Sequence, residues 1–291
     1  MYNLTQQFMV DAYARVESAT LNYYQTHQHE LRSMSYNGVR DQIVKDPNKN
    51  TKAKGQKVIL PATYSNSPRN LGQKCADAMA IFAKFGPPDL FITFTANPNW
   101  REIKENLEKD EVAIDRPDLV TRVFKLKLDQ LIKEITKWEI FGNVIAWVYR
   151  IEFQKRGLPH AHILIVLDFK SKLKTVDCID RVICAEFTDN EEVKNLVKKH
   201  MVHGPCGDYN KNAVCMENDK CIKYFPKPLC DETTLINGYP IYRRRQSSTV
   251  KIGKYQLDNS WVVPFNPYLL KRFRAHINVE CCSGVESIKY I

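Results

Sequence analysis

The chain lacks several features that would place it in a membrane, secreted or nucleotide-driven class. No apolar run approaches the about 20 residues that a membrane helix needs. The first residues, MYNLTQQFMV, have neither the basic start nor the apolar stretch of a signal peptide, so we expect a protein that is not secreted. No glycine-rich loop ending in Lys-Ser or Lys-Thr is present, which argues against a P-loop nucleotide site. There is also no internal repeat and no low-complexity tract.

Positive charge is what the chain has in excess, with 43 Lys and Arg against 33 Asp and Glu. A basic balance favours a polyanionic partner, and nucleic acid is the first candidate; a merely soluble basic protein is the alternative. Between residues 223 and 274 basic side chains alternate with aromatic ones, a pattern suited to gripping phosphates and stacking on unpaired bases. We predict nucleic-acid contacts from Arg243, Arg244, Arg245, Lys271, Arg272 and Arg274.

Apolar periodicity predicts an α+β fold with a central antiparallel sheet flanked by helices. Val120, Phe124, Leu128, Leu131 and Ile135 form one helical stripe behind Pro117, which suits the first position of a helix. Helical spacing is also present over 1–35, from Cys75 to near Gly86 and over 190–200, and strand patterns occur over 89–95, 143–153, 158–167 and, as short pieces, 239–265. Because only a Gln154–Gly157 turn separates 143–153 from 158–167, we predict an antiparallel hairpin.

The pair His160 and His162, inside the apolar run GLPHAHILIVL, is the most informative local feature. Residues i and i+2 of a strand point to the same face, so both imidazoles lie side by side. The pair His27 and His29 has the same spacing, but it falls in a helical segment where i and i+2 diverge. The strand pair therefore predicts half of a divalent-metal site; histidines satisfied by hydrogen bonds on a sheet surface are the alternative.

The hairpin supplies a third ligand to this pair. Alternate residues of the partner strand share one face, so Glu152 or Gln154 lies beside the histidines. Two neutral imidazoles and one oxygen leave open positions on Mg²⁺ or Mn²⁺. We favour Glu152 because its charge suits a hard cation, and Gln154 remains the alternative.

A second candidate metal site follows from the nine cysteines. Without a secretory signal, clustered cysteines are better interpreted as metal ligands than as disulfides. The spacing His203-x2-Cys206-x8-Cys215-x5-Cys221 offers four ligands for a closed, structural zinc site. Cys230 could replace one member, and buried free thiols beside a core histidine are the alternative.

GLPHAHILIVL resembles the histidine–hydrophobic–histidine motif of the HUH endonuclease superfamily, and EFQKRGLPHAHIL resembles the replication-initiator domain of Helitron transposases. The resemblance runs from about Thr5 to the last residue. It includes, in order, FGPPDLFITFTANPNWREI, HMVHGPCG, CIKYFPKP, NGYPIYRRR and NPYLLKRFRAHINVECCSGVESIKYI.

The resemblance implies a rolling-circle transposon replication initiator located in the nucleus. Such an HUH-type endonuclease and strand transferase nicks and joins single-stranded DNA at transposon ends through a 5′-phosphotyrosine. Tyr290 matches the first tyrosine of the family, whose second tyrosine would lie four residues later, beyond Ile291. The helicase domain of the family is absent as well, so we expect a chain that is truncated before it.

The sequence predicts four segments: an N-terminal helical segment and basic linker over 1–57, an HUH nuclease core over 58–175, a Cys/His-rich insertion over 176–235, and a basic C-terminal part with the nucleophile helix over 236–291. Two other functions remain open at this point. One is a non-catalytic module that binds single-stranded nucleic acid, and the other is an inactive transposon remnant.

Overall fold

The computed structural model describes residues 2–32, 58–154, 157–236 and 238–282. The chain divides into two compact units, Met1–Asp77 and Ala78–Ile291. The basic linker predicted at the end of 1–57 and the nucleophile helix predicted around Tyr290 lie outside the described residues. No described helix has the length and apolar character required to cross a membrane.

Helices and strands follow one another in groups, and every pairing between the named strands is antiparallel, as expected for an α+β fold. The helices are α1 (Tyr2–Thr26), α2 (Gln28–Arg32), α3 (Pro68–Phe85), α4 (Arg101–Lys104), α5 (Pro117–Thr136), α6 (Val176–Val182), α7 (Glu191–His200) and α8 (Pro267–Phe273). The strands are β1 (Leu90–Thr95), β2 (Val144–Phe153), β3 (Pro159–Leu167), β4 (Met216–Glu217), β5 (Lys220–Cys221), β6 (Thr234–Ile236), β7 (Tyr239–Ile241), β8 (Val250–Ile252), β9 (Tyr255–Leu257) and β10 (Ile277–Cys281).

In the first unit, the predicted helix over 1–35 forms as α1 and α2. The Gln28 side chain fixes α2 to the segment that follows the linker. Its amide nitrogen donates to the Ile59 carbonyl and its amide oxygen accepts from the Ile59 N–H, both at 2.8 Å. Four apolar residues of α1 follow one another at four-residue steps; Leu4, Phe8 and Val16 are exposed and Ala12 is half-buried.

A four-stranded antiparallel sheet in the order β10-β1-β3-β2 forms the centre of the second unit. The predicted hairpin is confirmed, because β2 and β3 pair antiparallel with Glu152 opposite His160. All nine residues of β3 are buried, whereas β2 lies at the edge and six of its ten residues are exposed. The histidine pair therefore projects from a fully buried inner strand, and Glu152 projects from the edge strand beside it.

The two faces of the sheet have separate apolar cores. On one face, Ala161, Ile163 and Ile165 pack with the buried stripe of α5, which confirms the predicted pattern Val120, Phe124, Leu128, Leu131 and Ile135. On the other face, Leu164 and Val166 pack with Phe82 of α3. Because side chains alternate along β3, His160 and His162 belong to this second face.

The C-terminal half adds short elements around the sheet. The predicted helix over 190–200 forms as α7, where the Asn190 side chain accepts from the Val193 N–H and caps the first turn. The predicted short strands over 239–265 form as β7, β8 and β9. A small core around Cys206, Cys221, Leu257 and Trp261 supports the Cys/His-rich region.

Candidate metal centres

Three ligand atoms converge at one end of the β2–β3 hairpin. The Nε2 atoms of His160 and His162 are 2.9 Å apart. A Glu152 oxygen, Oε2, lies 3.4 Å from the first and 3.6 Å from the second. The circle through these three atoms has a radius of about 1.9 Å, so an ion can lie about 2.1 Å from all three, the distance typical of nitrogen and oxygen ligands. The donor set therefore fits a divalent cation with open positions.

The surroundings of His162 favour a neutral ring aimed at this cluster. Its Nδ1 lies 3.1 Å from the Thr93 hydroxyl, and a proton on Nδ1 leaves the Nε2 lone pair for an ion. Burial and the neighbouring His160 hold the pKa of His162 below its usual value, although the Glu152 carboxylate acts in the opposite direction. The Phe91 ring stacks on the imidazole, with centroids 5.6 Å apart, and restricts its orientation.

Glu152 and Gln154, the two alternatives for the third ligand, occupy different positions. Glu152 lies within β2, directly opposite His160. Gln154 lies beyond the end of β2 and is exposed, and its N–H donates to the Leu158 carbonyl in the hairpin turn at 3.0 Å. The structure thus brings the Glu152 carboxylate to the histidine pair.

The pair His27 and His29 serves as an internal comparison. These two rings have centroids 6.2 Å apart, against 4.6 Å for His160 and His162. His27 Nδ1 lies 2.9 Å from the carbonyl oxygen of Tyr23 in α1. Equal spacing in the sequence therefore produces convergent imidazoles only on the strand.

Four further ligand atoms converge in the Cys/His-rich region. The side chains of His203, Cys206, Cys215 and Cys221 place one ligand atom each within 4.8 Å of all the others. Ligands about 2.3 Å from a tetrahedral zinc ion lie about 3.8 Å apart, so this set fits zinc. The cluster can bind a metal such as zinc. Cys230 does not belong to this group: its thiol donates to the Tyr242 carbonyl at 3.1 Å.

Local backbone structure sets this second cluster. His203 follows α7 and its N–H donates to the Trp261 carbonyl at 2.9 Å. Cys215 directly precedes β4 and Cys221 is the last residue of β5, and the Ile222 N–H donates to the Cys215 carbonyl at 2.8 Å. Two neighbouring chain segments thus hold three thiols and one imidazole together.

The thiols differ in how readily they lose a proton. Burial, reinforced by the neighbouring Cys221 and Cys215, raises the pKa of Cys206 to about 12. Burial also acts to raise the pKa of Cys221, but the backbone N–H groups of Phe225 and Lys223 outweigh it and lower this pKa. Because zinc binds thiolates, we expect metal binding to release protons from the remaining thiols.

The predicted nucleic-acid contacts around 243–245 have carboxylate or carbonyl partners. Arg245 pairs with Glu186 at 2.8 Å, and Arg243 lies 3.4 Å from Asp180. Arg244 is only 3% exposed and donates to the Ala185 carbonyl at 3.1 Å. The prediction that Arg244 contacts nucleic acid does not fit this structure, because its guanidinium lies in the interior.

The basic residues near α8 are also paired. Lys271 and Arg274 both contact Glu192, at 3.2 and 3.0 Å. Arg272 contacts Glu134 at 2.9 Å, and the Glu134 side chain is fully buried. Sequence reasoning missed these partners, which lie 82 residues away along the chain for Arg274 and 138 for Arg272. Only the folded structure shows how much of this charge is already compensated.

Fold and site together define an α+β domain with a histidine–histidine–carboxylate cluster on its central sheet and a Cys/His cluster beyond it. The family model described as Helitron helicase-like domain at N-terminus matches residues 1–165, which include Glu152 and both histidines. The chain belongs to this Helitron family and is a Helitron transposon-related protein. No curated protein matches it. The predicted nucleophile Tyr290 lies outside the described residues.

Proposed function

We propose that this protein is a metal-dependent nuclease that nicks and joins single-stranded DNA at transposon ends, as a Helitron-like replication initiator in the nucleus. One observation carries the proposal: His160, His162 and Glu152 place three ligand atoms where one Mg²⁺ or Mn²⁺ ion reaches them all. The family membership supports a DNA-related role. Zinc is proposed for the second cluster, in a structural role.

Each residue of the site has a separate role in such a reaction. His160 and His162 would hold the ion on a buried strand, Glu152 would supply negative charge, and the Thr93 hydroxyl lies 3.1 Å from His162 Nδ1 and orients that imidazole. The bound ion would polarise the scissile phosphate and stabilise charge that develops there. Because two neutral imidazoles and one carboxylate leave net positive charge on a bound divalent ion, the site favours an anionic phosphodiester.

Tyr290 is proposed as the nucleophile on the strength of its match to the family. Its hydroxyl oxygen forms a bond to phosphorus as the bond from phosphorus to the 3′ oxygen breaks. The phenol proton is lost and the 3′ oxygen gains one, so charge and protons balance. The resulting phosphotyrosine conserves the energy of the phosphodiester, which allows later rejoining to a 3′-hydroxyl.

The decisive experiment incubates the protein with end-labelled single-stranded DNA and Mn²⁺ and analyses the products on a denaturing gel. We expect a covalent adduct that mass spectrometry maps to Tyr290, that Tyr290→Phe abolishes and that EDTA suppresses. Tyr239→Phe is the matched control, because it removes the same hydroxyl from an exposed residue of β7 and should leave the adduct unchanged. DNA binding without any adduct would contradict the nuclease and favour a non-catalytic binding module.

The third ligand can be identified by comparing Glu152→Gln with Gln154→Ala. Loss of the Glu152 charge removes an oxygen ligand that a hard cation prefers, so we expect Mn²⁺ affinity to fall about 10- to 100-fold. Gln154→Ala should change the Mn²⁺ affinity by no more than about twofold, because Gln154 lies beyond the end of β2. Isothermal titration with Mn²⁺ measures both. The reverse order of effects would assign the ligand to Gln154.

A further inference from the structure

Lys223 and Lys227 belong to CIKYFPKP, the segment that begins at the last ligand of the Cys/His cluster. We propose that these two lysines form a phosphate-binding clamp that holds the backbone of single-stranded DNA against the His160–His162 pair. This proposal rests on the proposed function and gives the Cys/His cluster a second task. By folding this segment, the cluster would position cations for the DNA as well as stabilise the local structure.

Hydrogen bonds connect the Cys/His-rich region to the sheet at the row of residues that includes His160. In this row Thr95 of β1 is the register partner of His160, and the Thr95 N–H donates to the His276 carbonyl at 3.0 Å. The His276 ring in turn lies 2.8 Å, at Nδ1, from the carbonyl of His200, the last residue of α7. His203 follows three residues later, so the two metal clusters are connected through a short, hydrogen-bonded path.

Aromatic stacking places the Lys227 ammonium beside the Cys/His cluster. The Phe225 ring stacks on His203, with centroids 4.3 Å apart and planes inclined by 14°. Lys227 Nζ lies 5.2 Å from the Phe225 centroid and 5.7 Å from that of Tyr224. The Lys227 N–H donates to the Ser260 carbonyl at 2.9 Å, which fixes the backbone from which this side chain extends.

A tight turn holds Lys223 beside the last ligand of the Cys/His cluster. The Tyr224 N–H donates to the Cys221 carbonyl at 2.8 Å, so Lys223 lies within this turn, and its side chain is exposed. Burial lowers the pKa of Lys227, and the Glu280 carboxylate of β10 opposes this. Glu280 is the register partner of Phe91, whose ring stacks on His162. Both lysines therefore extend from a segment held at the Cys/His cluster, which the hydrogen bonds of His276 connect to the row of His160.

These lysines differ from the basic residues that the sequence singled out. Lys271, Arg272 and Arg274 each have a carboxylate partner. Within the described part of the chain, neither Lys223 nor Lys227 forms an ion pair. A cation without a carboxylate at ion-pair distance gains more from a phosphate than one that already has such a partner. The clamp is therefore assigned to this pair.

The test measures binding of a fluorescent oligothymidylate by anisotropy without divalent cations, so that cleavage is not needed. The double variant Lys223→Gln/Lys227→Gln should bind roughly tenfold more weakly, and the slope of log K against log salt should decrease by about 1.4, or about 0.7 for each lost phosphate contact. Lys220→Gln/Lys251→Gln removes the same charge from two exposed positions and should change neither quantity appreciably. Replacing Lys227 by Arg instead of Gln keeps the positive charge and should restore part of the affinity that the double variant loses.

Zinc content and thermal unfolding verify that each variant is folded. If the double variant is unstable, Lys223→Gln alone tests the clamp, because Lys223 is exposed. Equal losses in the lysine pair and its control pair would overturn the clamp, because they would reflect net charge only. Unchanged affinity in both would overturn it as well. Cleavage that persists in all these variants but is lost with the histidines would leave the nuclease proposal standing.

Discussion

Replacing both His160 and His162 by Ala is expected to reduce metal-dependent cleavage of single-stranded DNA about 10³-fold or more. The substitution removes two of the three converging ligand atoms, and loss of a single electrostatic stabiliser of a transition state already costs about 10²- to 10³-fold. DNA affinity measured without divalent cations should change little, because the neutral imidazoles are not phosphate contacts. Initial cleavage rates and Mn²⁺ titration of the same samples measure the two effects.

The chain provides a matched control in His27→Ala/His29→Ala. This variant removes the same atoms at the same spacing from the N-terminal helical segment, where the two rings belong to no three-ligand cluster among the described residues. Cleavage and Mn²⁺ affinity should stay at the level of the unchanged protein. If the two double variants lose activity equally, the β3 pair has no special role. If His160→Ala/His162→Ala binds Mn²⁺ normally, the ion lies elsewhere.

The histidine pair could be predicted from the sequence because it depends on local rules. Because side chains alternate along a strand, His160 and His162 must share a face. The short turn before them makes the preceding strand their antiparallel partner. Register within the hairpin then places Glu152 opposite His160. The contribution of Thr93 could not be derived in this way, because pairing of β1 with β3 joins residues 69 positions apart. Pattern alone does not specify such a long-range register.

The basic segment shows where composition misleads. A run such as Arg243-Arg244-Arg245 looks like a surface for phosphates, yet alternation buries the middle residue and Glu186 neutralises a neighbour. Burial of Arg244 in turn lowers its pKa, a sign of how costly it is to remove this charge from water. Conversely, Lys223 and Lys227 lie in the basic and aromatic stretch over 223–274, but the sequence did not single them out as nucleic-acid contacts. Their proposed role follows from the fold of the Cys/His cluster, where Phe225 of the same segment stacks on His203.

The Cys/His cluster leads to the second large expected effect. Cys206→Ser should lower the zinc content from about one ion per chain to near zero and lower the Tm by about 10 °C or more. The reason is that a structural zinc ion contributes folding free energy outright, and Cys206 is a buried member of both the ligand set and the small core around it. Elemental analysis and circular dichroism melting measure the two quantities.

Cys230→Ser is the sharpest control, because Cys230 has a spacing that permits ligation but lies outside the cluster and donates to Tyr242. It should keep its zinc, as should the exposed Cys75→Ser. Retention of zinc by Cys206→Ser would refute this ligand set. Loss of zinc by Cys230→Ser would instead support the alternative in which Cys230 replaces one member of the ligand set. Cys206→Ser could also bind DNA more weakly once its zinc is lost, while its Mn²⁺ affinity persists. Because the Mn²⁺ ligands belong to the sheet, this result would mean that the Cys/His cluster acts on DNA through the segment that follows Cys221.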